Sequence, residues 1–329
     1  MSAPTAERPT GVRVGRRNGR RPAGPVTTGA EQPARGPRRS RAQRPLTESR
    51  PPQEGPAAVL TTAFTMVALV SLWVAAQALL LSGVSHDRSQ ALLYQDFRTQ
   101  LAETTAPLGP VVPAGDPVAI LSIPAIGLDE VVVEGTASGD TLAGPGHLRS
   151  SVLPGQVGSS YVYGRAGTYG APFADITDLR PGDVIETTTA QGITALTVLG
   201  VRRDGDPKPP PPAAGTTRLT LVSVEGEGRL AALSADTTVF VDAEAVDAFP
   251  APSGRPTTVP DPEKILATDP GALPLLALCL ALLLALTLGV IAARQRWSAV
   301  LVWVMASPLA IALAWMTTDT VMRLLPNVI

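Results

Sequence analysis

Three long uncharged, apolar runs set the terms on which this chain can fold. Between Ala57 and Val84 no Asp, Glu, Lys or Arg occurs, and the run is longer than the ~20 residues that cross a hydrocarbon core. Two further runs, 271–293 and 297–318, are separated only by Arg294-Gln-Arg296. In lipid a single segment can satisfy its backbone only as a helix, so three transmembrane helices are expected, at 57–84, 271–293 and 297–318. The first run comes too late and is too long for a cleavable signal peptide and reads as a signal anchor.

Charge gives these spans a direction. Residues 1–55 carry twelve arginines against four glutamates, so a net charge of -1 hides a strongly basic tail and an acidic remainder. The tail is rich in Arg, Pro, Gly and Ser and cannot bury enough apolar surface to offset its conformational entropy, which predicts disorder. Such a tail could be an arm for nucleic acid or anionic lipid. We read it as a cytoplasmic topogenic tail, with no nucleic-acid partner. The Arg294-Gln-Arg296 turn belongs on the same side by the positive-inside bias. The chain is thus expected in the plasma membrane, with its N-terminus cytoplasmic, its middle outside, and 319–329 as a short extracytoplasmic tail.

Ser85 to Thr105 is polar, with Leu92, Leu93, Phe97 and Leu101 recurring at helical spacing, which predicts an amphipathic helix leaving the membrane. A Pro-rich linker follows to residue 116, and a second linker spans 246–270. Between them, 117–245 changes character. VAILSI (118–123), EVVVEG (130–135), SYVYG (160–164), DVIETTT (183–189), ITALTVLGVRR (193–203), RLTLVSV (218–224) and TTVFVDA (237–243) are short β-branched runs separated by Gly, Pro and Asp clusters. That pattern argues for an all-β barrel or sandwich. Lys208 to Pro212, KPPPP, reads as a rigid polyproline loop between strands, in preference to an SH3-type ligand.

The single cysteine, Cys279, lies in an apolar run, facing lipid or another helix, and the only histidines are His86 and His147. These counts leave no disulfide framework and no Cys-built zinc site, so neither metal nor cofactor is expected.

The β segment resembles the sortase family, the extracytoplasmic transpeptidases of Gram-positive surfaces. The resemblance is carried by ILSIPAIGLDEVVVEGTASGDTLAGPGHL (120–148), LPGQVGSSYVYGRAGTYGAPFADITDLRPGDVI (153–185) and RLTLVSV (218–224). It implies an eight-stranded barrel over 117–245. It also implies a cysteine nucleophile at a strand end, a histidine for proton transfers, and an arginine after the cysteine for the oxyanion. Here Arg165 takes the histidine position, and a guanidinium is no base near neutral pH. Val224 takes the cysteine position and has no nucleophilic atom.

Arg229 matches the arginine as a vestige, and reads equally as a solvated loop arginine paired with Glu225 or Glu227. Ser223 is the only substitute nucleophile in view. Successive strand side chains alternate in face, so Ser223 should point away from any groove that Val224 faces. His147 matches a family feature that is not the catalytic one, and its plainer reading is structural.

The expected function is therefore a catalytically inactive, membrane-anchored binding or scaffold module of the cell envelope. Its partners would be an extended peptide in the barrel groove or other envelope membrane proteins. The alternatives are a cysteine-independent transpeptidase or hydrolase built on Ser223, His147 and Arg229, and a structural subunit whose β domain is a spacer.

Overall fold

The computed structural model describes residues 68, 71–73, 75–77, 82–225, 237–294 and 296–329. The basic tail, most of the expected first span, and the loop carrying Glu227 and Arg229 lie outside them.

The β-branched runs become β1 (Pro117–Ile123), β2 (Leu128–Glu134), β4 (Gly158–Tyr163), β5 (Val184–Thr189), β6 (Gly192–Arg203), β7 (Thr217–Glu225) and β8 (Thr237–Ala245). An eighth strand, β3 (Gly146–His147), is only two residues long. It has too few positions to show a period-two pattern, which is why no run predicts it.

The strands close in the order β1-β2-β3-β4-β7-β8-β6-β5, with β5 returning antiparallel to β1. Two pairs are parallel, β2 with β3 and β4 with β7. The interior is filled by Ala119, Leu121, Val162, Ile185, Leu196, Leu219, Leu221, Val241 and their neighbours. Closure leaves no unpaired edge, the usual liability of a sheet this size.

Helix α1 (Ser82–Ala102) packs on β1 and β2. Its buried stripe is Ser82, His86 and Phe97, with Leu93 and Leu101 half-buried, while Leu92 is 57% exposed. The apolar spacing thus identifies the helix but misplaces part of its face. Polar residues hold that face by specific bonds. His86 meets the Glu130 carboxylate at 2.9 Å. The Gln90 amide donates to the Val131 carbonyl at 3.1 Å and accepts from its N–H at 2.7 Å.

After the barrel, α2 (Leu273–Arg294) and α3 (Ala299–Arg323) form an antiparallel pair. Among the described residues two stretches are long and apolar enough to cross a membrane, Pro270–Val290 and Val300–Arg323. Cys279 on α2 is fully buried, so of its two expected surroundings it has protein and not lipid.

The stretch 319–329 is no free tail. Residues up to Arg323 continue α3, and Leu324 onward turns into the barrel wall, where Asn327 and Val328 are fully buried. Pro326, lacking an N–H, cannot continue the helix and follows its end as prolines commonly do.

Candidate functional site

On β7 the side chains alternate as period two requires. Leu219 and Leu221 belong to the barrel interior, whereas Val222 and Val224 join a second apolar cluster outside it. On β4, Val162 points in and Tyr163 out, with Tyr161 also on the outer cluster. Phe240 of β8 completes this outer floor. Val224 therefore faces a groove floored by Tyr161, Tyr163, Val222 and Phe240. Burial pushes the Tyr163 phenol up to about 12, so it is a neutral wall.

The loop after β4 forms the side of the groove. Gly164 donates to the Val222 carbonyl at 3.0 Å, and a Cβ at Gly164 would overlap the Phe173 ring. Beyond it Tyr169, Gly170 and Ala171 all adopt positive φ (50°, 78° and 47°). Two non-glycine residues in that region cost of order 1–3 kcal/mol each and need over-determined surroundings. They have them: the Tyr169 N–H donates to Ser82 Oγ at 3.2 Å, and its hydroxyl to Asp319 Oδ1 at 2.5 Å.

Arg165 leads this loop and is the largest fully buried side chain among the described residues. Its Nη1 donates to Thr168 Oγ1 at 3.0 Å and to the Ile329 backbone oxygen at 2.9 Å. Its Nη2 donates to the Ser138 carbonyl and hydroxyl, both at 2.9 Å. Burial lowers its pKa to about 10, so the guanidinium stays charged at neutral pH. It is an anchor with both Nη groups engaged, while its buried Nε has no hydrogen-bond partner among the described residues.

Ser223 points into the barrel, fully buried, and its hydroxyl donates to the Gly164 carbonyl at 3.0 Å. His147 is equally buried, on β3, where its Nδ1 lies 2.7 Å from Glu134 Oε2. The structure gives these two residues no hydrogen bond to each other and different partners. Arg229 lies outside the described residues. Glu225, one of its two possible partners, is held by Arg203, with Nε–Oε2 at 2.6 Å.

His147 does meet a serine that the sequence left unremarked, Ser151, whose Oγ is 3.0 Å from Nε2. Glu134, His147 and Ser151 have the outline of an acid–base–nucleophile set. The hydrogen bonds contradict it. Nε2 also lies 2.8 Å from the Val152 carbonyl, a contact that needs a proton on Nε2. Ser151 Oγ donates to the Leu148 carbonyl at 2.8 Å and accepts from the Tyr161 N–H at 3.2 Å. A protonated Nε2 accepts no proton, and the hydroxyl is already directed elsewhere. This cluster ties β2, β3 and β4 together.

Beside it, the carboxyl of Asp140 is raised to about 6, by burial and then by the Glu263 charge. The folded protein therefore keeps a proton that the unfolded chain releases near the ordinary value of 3.8. Stability from this group falls as pH rises from about 4 to about 6 and is not recovered above. Asp140→Asn should melt at the same temperature as the parent near pH 4 and at a higher one at pH 7.5, read by thermal unfolding in detergent.

With this geometry in view, comparison with known proteins is decisive for the barrel. Residues 121–223 match the sortase domain. The barrel is a sortase-family domain. Solved structures to which it is similar include several sortases. The sortase D5 transpeptidase of Clostridium perfringens is 19% identical, over 48% of this chain and 96% of that one, at a TM-score of 0.38. The SrtA sortase of Actinomyces oris is 25% identical, over 46% and 92%, at 0.35. Sortase C of Clostridium perfringens, solved with the C-terminal cell wall sorting motif, is 20% identical, over 48% and 87%, at 0.35. No curated protein matches the chain.

Sequence reading missed Ser138, Thr168 and Ile329, the acceptors around Arg165. They lie 27, 3 and 164 residues away from it. The one available signal was the composition of the site: an arginine in a strand-end position surrounded by valine and tyrosine must find acceptors somewhere.

Proposed function

We propose that this chain is a membrane-anchored sortase-like module of a Gram-positive envelope that binds or scaffolds and does not transfer acyl groups. The observation that carries the reading is the pair of side chains at the matching positions. Val224 supplies no nucleophile, and Arg165 has both Nη groups committed to Ser138, Thr168 and Ile329. Acyl transfer by this fold needs a nucleophile and a proton carrier at those places. Ser223 does not substitute, because its hydroxyl faces the barrel interior and is bonded to Gly164.

Membrane anchoring is supported by the two apolar helices after the barrel and by the uncharged 57–84 segment. With three spans, a cytoplasmic N-terminus and the Arg294–Arg296 turn on the same side, the barrel faces outward. The partners of such a module are envelope proteins, reached through the barrel groove or through the helix pair.

The test is a serine- and thiol-directed covalent probe applied to the full-length protein in detergent micelles, with labelled sites mapped by mass spectrometry. No barrel residue should be modified. Stoichiometric modification of Ser223 or Ser151 would replace this reading with that of a hydrolase.

A further inference from the structure

The groove over Val224 is not empty. Val328 and Ile329 sit in the apolar cluster formed by Tyr163, Val222 and Val224, flanked by Tyr161, Ala166 and Phe240. Val328 is fully buried and Ile329 is 8% exposed. Thus the position that matches the nucleophile is covered by residues 105 and 104 places further along the same chain, delivered there by the end of α3.

The segment is held at nearly every backbone oxygen. Ser138 Oγ donates to the Leu325 carbonyl at 2.8 Å, and Thr141 Oγ1 to that of Asn327 at 2.8 Å. The Ala166 N–H donates to the Val328 carbonyl at 3.1 Å. Arg165 Nη1 and Thr168 Oγ1 both donate to the Ile329 oxygen, at 2.9 and 2.5 Å. The Asn327 side chain donates to the carbonyls of Thr136 and Lys264 at 2.6 and 2.9 Å. Donors from two separate loops of the barrel domain, 138–141 and 165–168, converge on five residues, which is how a protein recognises a peptide ligand.

We infer that Leu325–Ile329 is a resident peptide ligand of the barrel groove, and that the groove accepts an apolar peptide from another chain only when this segment leaves. The inference rests on the non-catalytic reading above and deepens it: the anchoring of Arg165 serves self-occupancy. A peptide that binds in trans must compete with a segment whose effective concentration is set by a covalent connection of a few residues to α3. It must also present a branched apolar side chain to Val222 and Val224 and a backbone oxygen to Arg165. The bound segment is a turn, with the Ile329 N–H donating to the Pro326 carbonyl at 3.3 Å, so the competitor need not be a β-strand.

The test uses full-length protein in detergent, carrying Cys279→Ser to remove its only thiol and Val224→Cys to report on the groove floor. A maleimide reagent should modify the introduced thiol at least tenfold faster when the chain is cut after Pro326. Val328→Asp, which forces a charge into the apolar cluster at unchanged length, should give the same acceleration, so failure of the shortened chain to fold leaves the measurement intact. A fluorescent Leu-Pro-Asn-Val-Ile peptide should bind the shortened chain and bind the full-length chain at least tenfold more weakly. Equal labelling rates in all three proteins, or equal peptide affinity with and without the segment, overturns the inference. Those outcomes are distinct from covalent labelling of Ser223 or Ser151, which overturns the non-catalytic reading and leaves segment occupancy standing.

Discussion

Arg165→Ala is expected to destabilise the barrel more than any other single change in the groove. It removes the largest fully buried side chain and takes the charged donor from the Ser138 carbonyl, left with Thr141 Oγ1 at 3.4 Å, and from the Ile329 oxygen, left with Thr168 Oγ1. A lost hydrogen bond to a charged group costs about 1.5–3 kcal/mol, and the vacated volume adds a cavity term. A loss of about 3 kcal/mol or more should lower the melting temperature by roughly 6 °C or more for a protein of this size. Arg165→Lys should fall between, because one ammonium cannot reproduce two parallel donor pairs. Thermal unfolding of the full-length chain in detergent reads both. A parent-like melting curve for the alanine variant would mean that the fork does not hold the groove together.

The second large effect is expected at His147. His147→Ala leaves the Glu134 carboxylate, only 2% exposed, without its partner at 2.7 Å. It also frees the Val152 carbonyl and Ser151 hydroxyl that the other ring nitrogen contacts. Breaking one side of a buried pair typically costs about 3–5 kcal/mol. Replacing both sides with apolar residues, as in His147→Phe with Glu134→Leu, should recover much of that, because no lone charge is then left in the interior. If single and double variants unfold at the same denaturant concentration, the contact contributes through packing alone.

These two residues also show what the sequence discloses and what it hides. The barrel is legible because seven of its strands are long enough to carry a β-branched pattern between turn residues; β3, at two residues, is not. The parity of Ser223 and Val224 is legible too, since a strand allows only two faces. It comes out as expected, with Val224 in the groove and Ser223 inside.

The occupant of the groove is different. Nothing local in Leu325–Ile329 distinguishes it from the end of a membrane helix, and its partners in the barrel lie more than 150 residues back. Contacts of that span depend on closure of the whole fold. The helix α1 face lies between these cases. Helical spacing finds Phe97, but the contact of His86 with the Glu130 carboxylate and the bond that the Val131 N–H donates to Gln90, which no periodicity encodes, bury His86 and position Gln90.

The way the barrel domain is fastened bears on how it comes apart. Local opening usually starts at chain ends, where backbone bonds fray into water. In this protein both ends of the β segment continue into structure that is bonded back onto the wall. On one side Gln90 and His86 clasp β2; on the other, Thr136 and Ser138 clasp Glu263, Met322 and Leu325. Peeling from a terminus must therefore break side-chain clasps before it reaches a strand. The stretch that can give way first moves inward, to the connections between strands. A domain with sealed ends should be nicked by proteases in an interior connection, yielding two fragments that stay together.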